Sequence, residues 1–322
     1  MTFAFVFPGQ GSQVIGMGKA LAEAFPAARA VFDEVDAALG QKLSAIMWEG
    51  PETELTLTEN AQPALMGVSM AVMRVLEAEH GIALAKAAKF VAGHSLGEYS
   101  ALAAAGTFSL ADTARLLKIR GKAMQAAVPV GQGAMAALLG LDFATASAVA
   151  AEAAQGDVCQ AANDNSDGQV VISGTKAAVD RACEIAKAKG AKRAIPLPVS
   201  APFHCALMQP AADAMAEALS KVEMKAPVVP VIANVLAAPL SDPVAIRQRL
   251  VEQVTGTVRW RECVGFMVAQ GVKVFVEVGS GKVLTGLAKK NAPEAAAMAC
   301  GTPDEIAAVV QQIAAIAQQL KG

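Results

Sequence analysis

Three residues in this chain have the types and settings that suit covalent acyl chemistry: Ser95, His204 and Arg120. Ser95 stands in Phe90-Val91-Ala92-Gly93-His94-Ser95-Leu96-Gly97-Glu98-Tyr99-Ser100, where a short apolar run breaks at a glycine and a helical pattern begins. Gly-x-Ser-x-Gly is the spacing of a nucleophile elbow. Such a turn needs small residues two before and two after the serine, so that a strand can bend sharply into a helix and expose Oγ. A helix from about Leu96 to Ala105 would aim its N-terminal amides at that oxygen and favour an oxyanion there. Any strand-to-helix turn likes Gly and Ser, and it is the flanking strand and helix that give the pentapeptide weight.

A serine nucleophile needs a base, and the chain has three histidines. His80 sits beside Gly81 at an expected helix end, where a polar residue suits the C-terminal dipole. His94 adjoins Ser95 across a sharp turn, so the two side chains point in different directions. His204 remains, in Ser200-Ala201-Pro202-Phe203-His204, where Pro202 is expected to start a helix. A histidine satisfied by a hydrogen bond at that helix start is the structural alternative.

Arg120 lies on a helix that Ser109-x-x-Asp112 opens with capping-box spacing and that runs to about Ala127. At 100° per residue, Arg115, Lys118 and Lys122 fall within about 60° of one another and form a solvated stripe. Arg120 instead shares a face with Leu116, Leu117, Ala123, Met124 and Ala127, which should be buried. A guanidinium there is costly unless a carboxylate meets it, and its planar fork suits bidentate carboxylate recognition. An internal Asp or Glu is one possible partner. The other is a carboxylate that arrives with the substrate, which together with a serine nucleophile describes an acyl group bearing a second carboxylate.

The elements that must position these residues follow an α/β pattern. Phe3 to Phe7 is a continuous apolar run, expected as a strand buried on both faces and followed by the loop Pro8-Gly9-Gln10-Gly11-Ser12-Gln13. Helical stretches follow from about Met17 to Leu39, broken at Pro26, and from Thr58 to His80, closed by Gly81. From Met135 the order becomes strand, helix, strand, the turn-rich Asn163 to Gly168, strand, helix and strand, ending near Leu197. That is the β-α-β-β-α-β order of a ferredoxin-like unit, inserted before parallel-sheet signals resume at Val228 to Ala233 and Val272 to Val278. The final helix is expected from Pro303 to Leu320. The domain reading is therefore a large domain of residues 1–128 and 199–322 with a smaller subdomain of 129–198.

Composition narrows the classes of function. Hydrophobic residues are 54% and charged ones 17% of the chain, yet no apolar run approaches the ~20 residues of a spanning helix. The first apolar run carries no basic charge and stops at Pro8-Gly9, against a signal peptide. Five scattered cysteines without a C-x-x-C pair indicate neither a disulfide framework nor a zinc site and fit a reducing cytoplasm. A net charge of -2 gives no footprint for nucleic acid. Phosphate-binding loops are excluded as well. Val14 stands where a dinucleotide motif needs glycine, and Val276 and Val283 stand where a P-loop around Gly279-Ser280-Gly281-Lys282 needs Gly and Ser or Thr.

Pro8-Gly9-Gln10-Gly11-Ser12-Gln13, Gln62-Pro63-Ala64-Leu65, Gly93-His94-Ser95-Leu96-Gly97-Glu98, Arg120-Gly121-Lys122, Gln169-Val170-Val171-Ile172-Ser173-Gly174, Ser200-Ala201-Pro202-Phe203-His204 and Asn234-Val235 together resemble the malonyl-CoA:acyl carrier protein transacylases of bacterial fatty acid synthesis. The resemblance covers nearly the whole chain in order and spacing. It implies an α/β-hydrolase-like large domain with an inserted ferredoxin-like subdomain, and malonyl transfer from malonyl-CoA to acyl carrier protein through a malonyl-serine. Ser95 would be the nucleophile and His204 its base, with the backbone amides of Gln10 and Leu96 as oxyanion hole. Arg120 would clamp the malonyl carboxylate, Phe203 would leave little room for an α-methyl group, and the Gln253 carbonyl would orient the imidazole beside the substrate.

The resemblance further implies no cofactor beyond the two substrates, no membrane or nucleic-acid partner, a monomer, and a cytoplasmic setting. Acidic carrier proteins would dock on Arg115, Lys118 and Lys122, or on Lys187 and Lys189. Ser280 departs from the family's usual proline, in a turn expected to lie away from the chemistry. A serine esterase or thioesterase, a polyketide-pathway transferase, a methylmalonyl-selective enzyme and an inactive carrier-binding module are the competing expectations.

Overall fold

The computed structural model describes residues 2–319. Among these residues ten strands form two sheets, β1 (Phe3–Phe7), β2 (Ala88–Gly93), β3 (Gly133–Leu139), β4 (Cys159–Ser166), β5 (Gln169–Thr175), β6 (Arg193–Pro196), β7 (Val231–Ala233), β8 (Ala238–Leu240), β9 (Val274–Val278) and β10 (Ala296–Cys300). The larger sheet has the order β10-β9-β1-β2-β7-β8, parallel throughout except for the antiparallel edge strand β8.

Strand β1 is central, and all five of its residues are buried. Side chains alternate across a strand, so Phe3, Phe5 and Phe7 pack on one face with the helices Pro26–Leu39, Thr58–His80 and Leu110–Ala127. Ala4 and Val6 face the opposite layer with Phe90, Ala92, Trp260, Met267 and Leu284. An unbroken apolar run is what a strand covered by helices on both sides requires. The helix Thr58–His80 is buried almost all round and ends where Gly81 takes a φ of 64°. Pro26 stands at the first turn of its helix, where its missing N–H costs nothing.

The smaller sheet is antiparallel with the order β4-β5-β3-β6. Helices Phe143–Ala154 and Lys176–Ala188 cover one face, packing on Ala136, Leu138, Val170 and Ile172. Met135, Ala137, Ala162 and Val171, on the other face, join the main core. The crossover order matches the βαββαβ pattern read from the chain.

Several boundaries differ from the sequence reading. Asn163 to Ser166 is not a turn but the end of β4, where two register shifts against β5 let polar residues stay in the strand. Pro202 starts no helix; the chain there is irregular, and helical structure begins at Ala206 and continues in Gln209–Ser220. The helices Pro243–Thr255 and Trp260–Ala269 and the strands β8 and β10 have no counterpart in that reading. The final helix runs Pro303–Gln319, and the end expected at Leu320 lies outside the described residues.

Candidate active site

The carboxyl ends of β1 and β2 open onto a cleft of about 750 Å³. Adjacent strand ends in an open α/β sheet are where such crevices form. Gln10, His94, Ser95, Arg120, Met135, Phe203 and His204 are among the residues lining it.

Ser95 sits between β2 and the helix Leu96–Ala104 with φ 55° and ψ −111°, a left-handed conformation that costs a residue with a side chain. The glycines around it are sterically required. A Cβ on Gly93 would lie 1.8 Å from the Gly97 carbonyl oxygen, and one on Gly97 would lie 2.2 Å from that of Phe7. Asn234, buried at the end of β7, holds the strained turn from beneath. Its Oδ1 accepts from the Ser95 amide at 2.8 Å, and its Nδ2 donates to the Gly93 carbonyl at 2.7 Å.

Ser95 Oγ lies 2.8 Å from Nε2 of His204. The other ring nitrogen, Nδ1, is 2.8 Å from the backbone carbonyl of Gln253. A carbonyl only accepts, so Nδ1 carries the proton and Nε2 presents its lone pair to the serine hydroxyl. His204 is 4% exposed and also has a positive φ, 57°. Burial first, and the Arg120 charge second, push its pKa down to about 3. The imidazole is therefore neutral near pH 7 and able to take a proton. His94 is engaged elsewhere, its Nε2 2.8 Å from Asn165 Oδ1.

Arg120 is 1% exposed. Its Nη1 donates to Gln62 Oε1 at 2.9 Å, and its Nη2 to Gln253 Oε1 at 2.9 Å and Ser95 Oγ at 3.1 Å. The guanidinium also lies 5.6 Å from the Tyr99 ring centroid. Among the described residues no carboxylate comes within 4.0 Å of it. Of the two partners weighed from the sequence, the internal ion pair is not formed among the described residues, and Glu98 acts on the guanidinium only across the Gln253 amide; a buried cation without a contacting anion is costly.

The remaining site residues take distinct places. Gln10 lines the cleft and Leu96 follows Ser95 at the start of its helix, and the backbone amides of both have no protein hydrogen-bond partner among the described residues. The Gln10 side chain donates to Thr58 Oγ1 at 3.2 Å. Phe203, 8% exposed, walls the cleft beside His204. Gln253 is fully buried and does not line the cleft; it stands behind Arg120 and His204. Ser280 is less remote than its sequence position suggests, because its Oγ donates to the Ser12 carbonyl at 2.8 Å and ties down the loop that carries Gln10. Lys118 is not part of a solvated stripe. Its side chain is 18% exposed and bonds Gln41, Asn60 and Glu59.

Sequence reasoning gave no role to Gln62, Asn234 or Glu98. All three stood in the matched motifs, and a polar residue fixed inside an otherwise apolar stretch was the available signal.

A family model described as an acyl transferase domain matches residues 4–315. The chain is 50% identical over 309 residues to the malonyl CoA-acyl carrier protein transacylase of Escherichia coli K12, covering 96% of this chain and 99% of that protein. An acyl-carrier-protein-S-malonyltransferase from Bartonella henselae superposes with a TM-score of 0.95 at 60% identity, covering 98% of this chain and all of the other. A malonyl-transacylase solved in a holo complex with its type II PKS acyl-carrier protein gives a TM-score of 0.94 at 46% identity, over 97% of this chain and all of that one. The chain belongs to the acyl transferase domain family, within its malonyl CoA-acyl carrier protein transacylases.

Proposed function

We infer that this protein transfers the malonyl group of malonyl-CoA to the thiol of an acyl carrier protein, with Ser95 as the covalent carrier. The observation that carries this reading is the buried guanidinium of Arg120, which no carboxylate contacts among the described residues and which lies 3.1 Å from a serine oxygen that also contacts a neutral imidazole. An acyl group with a distal carboxylate supplies what both need.

His204 Nε2 takes the Ser95 proton as Oγ attacks the thioester carbonyl. The oxyanion is held by the unpaired amides of Gln10 and Leu96 and by the positive end of the helix Leu96–Ala104. The C–S bond breaks, coenzyme A leaves as thiolate, and the imidazolium returns the proton to it. Arg120 holds the malonyl carboxylate of the resulting ester. The carrier's phosphopantetheine thiol then enters, gives its proton to His204, and attacks the same carbonyl; the C–Oγ bond breaks and the imidazolium returns the proton to Ser95 Oγ. Each proton moves between groups of this chain and its substrates, so transfer calls for no resident cofactor.

Residues 1–128 and 199–322 form the catalytic part in this scheme, and 129–198 the subdomain that walls the cleft through Met135 and Asn163. Carrier docking is assigned to the rim near Lys122, 63% exposed and only loosely paired with Glu59 at 3.7 Å. No helix among the described residues is long and apolar enough to cross a membrane. A cytoplasmic monomer is the working assignment.

Malonyl-CoA and a phosphopantetheinylated carrier protein, mixed with the enzyme and weighed, test the reading. The expected products are a malonyl adduct on the Ser95 peptide and malonyl-carrier. Free malonate without carrier adduct would replace the transferase by a thioesterase.

A further inference from the structure

Behind the reacting groups lies a carboxylate that the transfer scheme does not use. Glu98, one helical turn past Ser95, is 1% exposed. Its Oε2 accepts from Gln253 Nε2 at 2.8 Å and from the Asn234 backbone amide at 3.1 Å. Those two partners are the residues that hold the site together. Asn234 fixes the elbow through Ser95 and Gly93, and Gln253 touches His204 through its backbone and Arg120 through its side chain.

The side chain of Gln253 has a polarity that must be set. Its amide can lie either way round, with oxygen or nitrogen toward Arg120. Only oxygen works, because the guanidinium has donors and no acceptor. Gln253 Nε2 must then find acceptors on the other side, and it has two near ones, the Ser95 carbonyl at 2.9 Å and Glu98 Oε2 at 2.8 Å. Asn234 Oδ1, which also accepts from the Ser95 amide, is a longer third contact at 3.3 Å. Burial pushes the Glu98 pKa up, the bonds from Gln253 and Asn234 and the nearby Arg120 charge pull it back, and the balance lies at about 7. Oε2 accepts in either protonation state, since a neutral carboxyl keeps its carbonyl oxygen.

We propose that Glu98 is a positioning residue of the acyl-transfer site, whose carboxyl oxygen fixes the amide of Gln253 so that Gln253 Oε1 aims Arg120 at the acyl tail. This rests on the transferase reading given above. Without that acceptor Gln253 Nε2 keeps only the Ser95 carbonyl and the longer contact to Asn234 Oδ1, so the amide is held less firmly and Gln253 Oε1, one of the two side-chain carbonyls that orient the Arg120 fork, is less well fixed. The imidazole, held by the Gln253 backbone in the helix Pro243–Thr255, is affected less. The effect should therefore fall on malonyl specificity rather than on all acyl transfer alike.

The test compares the kcat/KM ratio for malonyl-CoA over acetyl-CoA, with a carrier thiol as acceptor, in Glu98→Ala, Glu98→Asp and Glu98→Gln. Wild-type transfer of malonyl to carrier is measured first; its failure would overturn the transferase reading and leave the positioning question separate. Given that activity, Glu98→Ala and Glu98→Asp lower the ratio at least tenfold and fivefold, and Glu98→Gln, which keeps an acceptor at the right reach, restores it to within threefold. If Glu98→Ala does not fold, the Asp and Gln pair decides. Equal losses on both acyl groups would make Glu98 a structural residue only. A ratio kept by Asp and lost by Gln would make it a counter-charge, and either result overturns the proposal.

Discussion

The region around the elbow and the inserted antiparallel sheet use buried space in opposite ways. Around Ser95 the interior is polar: Gln62, Glu98, Arg120, His204, Asn234 and Gln253 are all at least 96% buried and bonded to one another. Beneath the helices of the inserted unit the core is Ala136, Leu138, Val149, Val170, Ile172 and their neighbours. Its ion pairs, such as Lys176–Asp180 and Lys189–Glu152, stand in solvent. Positive φ shows the same contrast. Gln155 uses it to end a helix, an ordinary cap, whereas Ser95 and His204 use it to bring Oγ and Nε2 together. Apolar packing specifies a shape to within a methyl group. A network of directional bonds specifies where single atoms sit, at a stability cost that the surrounding core must offset.

The comparison breaks most visibly at the nucleophile. Ser95→Ala should remove the acyl-enzyme and lower malonyl transfer by about 10⁴-fold or more, measured by intact mass and by rate; a persisting adduct would place the nucleophile elsewhere. Gly93→Ala should cost more than about 4 kcal/mol, because a Cβ 1.8 Å from a carbonyl oxygen cannot be absorbed in so short a turn. Chemical denaturation reads this, and a wild-type midpoint would contradict the elbow's geometry. Arg120→Ala should lower kcat/KM for malonyl-CoA by about 10²-fold while sparing acetyl-CoA, as one lost charge-assisted carboxylate pair predicts.

A pH profile sharpens the contrast further. His204 is held near 3, below its ordinary 6.5, so the acid limb of acylation should lie well under pH 6.5. Arg120 is one cause of the depression, and Arg120→Met should therefore move the limb upward. Stability carries the opposite face of this shift. The unfolded chain takes a proton near 6.5 that folded His204 refuses, so this contribution is present above pH 6.5 and is lost as pH falls toward 3. The smallest effect belongs to the inserted unit: Lys189→Ala, which breaks a pair 45% and 52% exposed, should change unfolding free energy by about 0.5 kcal/mol or less.

Local pattern was enough for much of this molecule. The unbroken run of β1, the glycines of the elbow, the break at Pro26, the cap at Ser109 and the alternation through the βαββαβ unit are dictated by neighbours a few residues apart, and sterics and periodicity act at that range. The burial of Arg120 was likewise legible from one helix face. What brought Ser95 within 2.8 Å of His204, 109 residues away, was the sheet order and the path of an irregular loop that local signals misread as a helix start. The same holds for Glu98, whose partners lie 136 and 155 positions further on. A hydrogen bond depends on tenths of an ångström between groups that only the packed sheet and helices bring together, and residue types along the chain carry no such distances.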